Sequence, residues 1–159
     1  MNTEIPLDMD AVAAVIAQRK SMPGAMLPIL HGIQDIIGYI PTEAVQLIAL
    51  ALNVSRAEVY GVITYYPFFR QTPPGRHVVQ ICRAEACQAV GGEALAVHAK
   101  ASLACDFHET TADGAFTLEP VYCLGQCACG PAIMMDDNLY ARVTSDKFNH
   151  ILDATRGTP

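Results

Sequence analysis

Residues 77–87, H-V-V-Q-I-C-R-A-E-A-C, run from a short apolar stretch into a pair of cysteines, and residues 116–127, F-T-L-E-P-V-Y-C-L-G-Q-C, repeat the arrangement. An apolar run of this length bounded by turn-formers reads as a buried strand. Strands are expected over His77 to Ile81 and Phe116 to Tyr122, which leaves Cys82, Cys87, Cys123 and Cys127 in loops just past two strand ends. Four thiols in two tight pairs suggest a four-thiolate metal site, because tetrahedral sulfur coordination cannot be made from one short loop alone.

The rest of this half of the chain fits a small layered fold. Gly91-Gly92 opens a helix through E-A-L-A-V-H-A-K-A-S-L, and Phe107 to Thr110 is expected to pair with Phe116 to Tyr122 across an Asp113-Gly114 turn. Ala132 to Met135 and Leu139 to Val143 read as a last hairpin through Asp136-Asp137-Asn138, and Thr144 or Ser145 caps a closing helix to about Ala154. Strands and helices in this order predict an α/β layer with the site held by loops at one end of the sheet.

Upstream the pattern is helical throughout. A first helix covers Met9 to Arg19, stopped by Pro23-Gly24, and a second runs from Ala25 to Ile37, stopped by Gly38. The third follows Pro41 with Thr42 as N-cap and ends near Asn53. Ser55-Arg56-Ala57-Glu58 is a capping box that opens a fourth, to about Tyr65. The composition changes within residues 67–76, P-F-F-R-Q-T-P-P-G-R, so the boundary belongs there: a helical bundle over residues 1–70 and a second domain over residues 77–159.

Composition limits what the chain can do. With 52% apolar residues it can bury a core, and 10 basic against 16 acidic residues leave a net charge of -6. That balance lacks the positive charge that neutralises nucleic-acid phosphates or anionic lipid. No apolar run approaches the roughly 18 residues of a membrane span, and the acidic start M-N-T-E-I-P-L-D-M-D lacks a signal peptide's basic region. A soluble, cytoplasmic protein is expected, with no nucleic acid and no direct membrane contact. Its 6 cysteines are expected to be reduced, since disulfide-dependent chains are typically smaller, secreted and poor in core residues.

Zinc and iron-sulfur are the candidate metals. Structural zinc sites use closer cysteine pairs with knuckle turns, and the C-x4-C and C-x3-C spacings here lie at the wide end of that range. A [2Fe-2S] cluster is longer than one ion and takes two thiolates on each iron, so wider pairs on separate loops suit it. Gly125, Gly130, Ala84, Ala86 and Ala128 are small enough to let backbone N–H groups approach inorganic sulfide.

At these residues the chain resembles the thioredoxin-like [2Fe-2S] ferredoxin family, which includes an iron-sulfur subunit of respiratory NADH dehydrogenase. The resemblance rests on C-x4-C, a helix, a hairpin, C-L-G-x-C and a P-A-I-M-M strand. It extends upstream to the run from Ile33 to Pro41 and to V-Y-G-V-I-T-Y-Y from Val59. It implies an α+β chain: a four-helix docking module, then a thioredoxin-like domain with Cys82, Cys87, Cys123 and Cys127 as ligands of one [2Fe-2S] cluster. C-R-A-E-A-C-Q-A-V-G-G and V-Y-C-L-G-Q-C-A-C-G-P are most similar to the gamma subunit of soluble, NAD-dependent, molybdenum-containing formate dehydrogenases. That branch implies a flavin- and NAD-binding beta subunit as partner and, through it, a molybdenum-containing alpha subunit. FMN, further iron-sulfur clusters and the molybdenum cofactor would sit on those partners, and the isolated chain would not oxidise formate. A respiratory NADH dehydrogenase or an NAD-linked hydrogenase would use a subunit of this type too. Dithiol chemistry is not expected, because no C-x-x-C follows the first strand.

Other residues have plainer readings. Cys105 follows the apolar end of a helix and is expected in the core. Cys129 shares the loop of Cys127 and either lines the pocket or replaces a neighbour as ligand. A Rieske set would need histidines in the cysteine loops, and His31, His77, His98, His108 and His150 all lie elsewhere. Tyr65, Tyr66, Phe68 and Phe69 are expected to pack the two modules together, with a share in a partner interface. Met134 and Met135 read as core. The third and fourth helices have the outline of a helix-turn-helix, but only Arg56 could serve a groove. A zinc-stabilised interaction or DNA-binding module is the remote alternative.

Overall fold

Asp8 opens the first helix, its carboxylate accepting a hydrogen bond from the Ala11 N–H at 2.9 Å. The structure is a computed structural model describing residues 8–156. It divides into two compact units, Met1–Pro73 and Pro74–Pro159. The outermost residues of both expected domains, 1–7 and 157–159, lie outside the described residues.

In the first unit α1 (Met9–Arg19), α2 (Met26–Ile37), α3 (Thr42–Leu52) and α4 (Arg56–Tyr65) bring apolar residues at helical spacing onto one core. Ile29, Leu30, Ile33, Ala44, Ile48 and Val59 are completely buried there. Pro41, not Thr42, is the N-cap of α3, and Thr42 is its first helical residue; no side chain caps that end. The Ser55–Glu58 capping box is formed, with Ser55 Oγ accepting from the Glu58 N–H at 3.2 Å and Glu58 Oε2 accepting from the Ser55 N–H at 2.8 Å.

Gln34 is the one polar side chain buried in that core among the described residues of the unit. Its Nε2 donates to the Phe68 carbonyl at 2.9 Å and its Oε1 accepts from the Arg70 N–H at 2.7 Å. The amide therefore pins the segment that follows α4, much as a neighbouring strand would. Phe69 packs into this core and, with Phe68, against the His31 ring; Tyr65, Tyr66 and Phe68 remain exposed.

The second unit is built on a five-stranded sheet in the order β2-β3-β1-β4-β5. Its strands are β1 (His77–Cys82), β2 (Glu109–Thr110), β3 (Phe116–Val121), β4 (Ile133–Met135) and β5 (Asn138–Tyr140). Only β1 and β3 run parallel; the other pairings are antiparallel. A parallel pair needs a crossover. Here it contains α5 (Glu85–Ala89) and α6 (Gly92–Leu103). With α7 (Ser145–Arg156), α6 covers a core centred on Val79, Ile81, Leu118, Ile133, Phe116 and Phe148.

The strand ends depart from expectation: Cys82 is the last residue of β1 and not a loop residue, Tyr122 and Ala132 fall outside β3 and β4, and Asn138 belongs to β5. Phe107 and His108 are not in a strand: His108 has a φ of 66° and Phe107 lies beneath Lys100, whose Nζ is 4.4 Å from the ring centroid. The final strand stops at Tyr140, because Arg142 turns into the left-handed region with a φ of 50° and donates its N–H to the Cys129 carbonyl. Among the described residues no helix is long and apolar enough to cross a membrane.

Candidate metal centre

The parallel register of β1 and β3 sets Cys82 opposite Val121, so both strands deliver their cysteine loops to the same end of the sheet. Neighbouring strands lie about 4.8 Å apart. The loops are stitched together at once, because the Arg83 N–H donates to the Val121 carbonyl at 2.7 Å, and Gln88 Nε2 donates to the Arg83 carbonyl at 2.7 Å.

The Ala84 carbonyl accepts from the Cys87 N–H at 3.0 Å and starts α5, which turns the second cysteine of this loop back toward Cys82. Both are buried, and with Ala132 they form a small apolar cluster lined by Ala84, Val121 and Leu124. Burial comes first in pushing the Cys87 thiol above its ordinary range; its hydrogen bond with Cys82 and the charges of Cys82 and Cys127 add to it.

The other loop is open. Cys123 and Cys127 are exposed, with their sulfurs 3.8 Å apart, and the Gly125 N–H points at Cys123 Sγ from 3.3 Å. Cys127 begins a short 3-10 helix, Cys127–Cys129. Its thiol is raised chiefly by the hydrogen bond with Cys123 and by that neighbour's charge, then by slight burial and the charge of Cys82. Across the two loops, charge on Cys127 raises the Cys87 thiol and charge on Cys82 raises the Cys127 thiol.

The donor set fits a cluster held by sulfur alone. Among the described residues no three His, Cys, Asp or Glu side chains converge on one point as candidates for a single ion. The thiols stand as two pairs, Cys82 with Cys87 and Cys123 with Cys127, and the Gly125 N–H is placed to offset charge on the Cys123 sulfur. The histidines are engaged elsewhere: His77 with Asp136, His108 with Glu119, His98 with Asn149, and His31 with Phe68 and Phe69, while His150 lies exposed on α7.

Cys129 is half-buried in the same loop, its N–H donating to the Gln126 carbonyl and its carbonyl accepting from Arg142. Cys105 lies at the margin of the core of the second unit, away from the site, with its thiol pushed up by burial and by Glu109 and Asp106. Sequence reasoning misses two neighbours of the thiols. Ala132 reads only as a strand residue and Gly92 only as a helix opener, yet both press against Cys82 or Cys87.

A sheet of this topology with two cysteine pairs at one end is the frame of a thioredoxin-like iron-sulfur protein. The chain belongs to the thioredoxin-like [2Fe-2S] ferredoxin family, whose model matches residues 12–156, and its cofactor is a [2Fe-2S] cluster. It is 35% identical over 137 residues to the NADP-reducing hydrogenase subunit HndA of Solidesulfovibrio fructosivorans, covering 84% of this chain and 80% of that one. A subunit of an NADH-quinone oxidoreductase of Rhizobium meliloti is 34% identical over 149 residues, covering 94% of this chain and 87% of the relative. The fold matches a chain of an NAD+-reducing [NiFe]-hydrogenase in its air-oxidised state with a TM-score of 0.61, at 19% identity over 92% of this chain. This chain spans 23% of that hydrogenase chain's length.

Proposed function

We propose that this chain is the electron-transfer subunit of an NAD-linked oxidoreductase complex, with one [2Fe-2S] cluster held by Cys82 and Cys87 on one iron and Cys123 and Cys127 on the other. The observation that carries the reading is the delivery of both thiol pairs to one sheet end by the parallel β1–β3 pair. When bound, such a cluster takes up and returns a single electron. The chain's own contribution is to supply the thiolates, keep Cys82 and Cys87 dry, and leave Cys123 and Cys127 at the surface. Residues 1–70 serve as the docking domain and residues 77–159 as the cluster domain.

The complex is a soluble, cytoplasmic, NAD-dependent formate dehydrogenase, in which formate is oxidised on a molybdenum-containing alpha subunit and NAD is reduced on a flavin-bearing beta subunit. This finer reading is supported by the wording around the cysteines, C-R-A-E-A-C-Q-A-V-G-G and V-Y-C-L-G-Q-C-A-C-G-P. A second reading has its own support, because relatives of this chain are subunits of a hydrogenase and of NADH-quinone oxidoreductases.

Affinity purification of the native complex with metal and flavin analysis tests both. Molybdenum or tungsten with flavin and iron supports formate dehydrogenase. Nickel moves the assignment to a hydrogenase, and flavin and iron alone to an NADH dehydrogenase. The purified chain itself should be red-brown and bleach on reduction; a colourless zinc protein would overturn the electron-transfer reading.

A further inference from the structure

Two glycines touch Cys87, and neither is there for its backbone conformation. Gly130 has a φ of -67° and a ψ of 166°, which any residue adopts, whereas Gly125 in the same loop has a φ of 74° and open space where a side chain would go. At Gly130 the limit is space. A Cβ would stand 2.8 Å from Val90 Cγ2 and 3.3 Å from Cys87 Sγ. At Gly92 a Cβ would stand 2.7 Å from the Cys87 carbonyl oxygen and 2.8 Å from its carbon. Main-chain atoms cannot give way cheaply, so Gly92 holds the back of Cys87 while Gly130 closes over its thiol.

Val90 completes the arrangement. Its N–H donates to the Cys87 carbonyl at 3.3 Å, and one methyl lies against Gly130 although the side chain is 54% exposed. Gly130 is itself fixed from the other side, because its neighbours Cys129 and Pro131 accept hydrogen bonds from Arg142 at 2.8 Å and Val143 at 3.0 Å. The first cysteine loop and the second therefore meet at one point, a valine methyl seated in the space left by a missing methyl.

We propose that Val90 and Gly130 form a size-matched pair that sets the gap between the two cysteine loops and seals the Cys87 sulfur from water. They are positioning residues for the cluster, and the proposal rests on Cys87 being a ligand. A gap widened by a methyl group moves one thiolate pair relative to the other. A seal opened by losing the valine admits water, which stabilises the more negative, reduced cluster and raises its potential.

The test uses the full-length chain loaded with its cluster and its Val90→Ala, Gly130→Ala and double variants. Midpoint potential, the g-values of the reduced cluster and the rate of iron loss to a chelator are measured. The expected result is a several-fold faster iron loss with shifted g-values for Gly130→Ala, and a raised potential for Val90→Ala. The double variant should return toward native values, because the added methyl fills the space the valine vacates. Native g-values and iron retention in Gly130→Ala would overturn the proposal, as would a double variant no closer to native than Gly130→Ala alone. Loss of the native [2Fe-2S] spectrum in Cys87→Ala tests the ligand reading separately; a native spectrum there would overturn that reading, whatever the pair does.

Discussion

Cys123 Sγ lies 3.8 Å from Cys127 Sγ at the surface of the protein, whereas Cys82 and Cys87 are each only 2% exposed. The two halves of the site therefore differ in their access to solvent. In the reduced, metal-free protein a maleimide should modify Cys123 and Cys127 first and reach Cys82 and Cys87 only as the second unit unfolds. Peptide mass mapping over time checks the order, and equal rates at all four would contradict it.

Cys129 has its backbone tied to Gln126 and Arg142 and shares the 3-10 turn of Cys127. Cys129→Ser should keep the visible spectrum of a [2Fe-2S] cluster with full iron and sulfide content. Loss of that spectrum would remove Cys127 as the fourth ligand in favour of Cys129.

Gln34 is 4% exposed and makes two hydrogen bonds to the chain leaving α4. Gln34→Leu keeps the volume and deletes both bonds, leaving polar groups unpaired beside the core, at a cost of roughly 2–3 kcal/mol. Urea unfolding of the full chain should show the loss in the transition of the helical unit. An unchanged midpoint would mean the amide is not needed.

The Glu58 carboxyl is held below its ordinary range by hydrogen bonds from the Ser55 N–H and hydroxyl. A carboxyl with a lowered pKa in the folded state adds stability above its unfolded pKa, and that stability disappears as pH falls through the lower folded value. Ser55→Ala should cost about 1 kcal/mol at neutral pH. Part of that difference should vanish in acid. Melting of both proteins across pH by circular dichroism checks it, and a gap that widens in acid would reverse the sign.

The helices are legible in the sequence because their signals are local. The Ser55–Glu58 box, the turn at Gly38 and the apolar spacing of Ile29, Ile33 and Ile37 each sit within a few residues. Helix α5 is not, since five residues are too few to show a period, and Cys87 is its only buried residue. Phe107 has the pattern of a strand residue and is held instead under Lys100, from the end of α6, and near Arg83, which lies far back in the sequence. The four cysteines can be found by spacing. That Cys82 and Cys87 are buried while Cys123 and Cys127 are exposed cannot, because it depends on β4 bringing Ala132 beside Cys82.

The parallel pairing of β1 with β3 also fixes an order of events in the life of the chain. Cys82 and Cys127 are separated by the whole crossover, and nothing local brings them together. A nascent chain that has not yet delivered Cys127 from the ribosome has half a site, and neither loop excised as a peptide would reproduce it. With the proposed ligands, all four thiols stand together only where β3 is paired with β1.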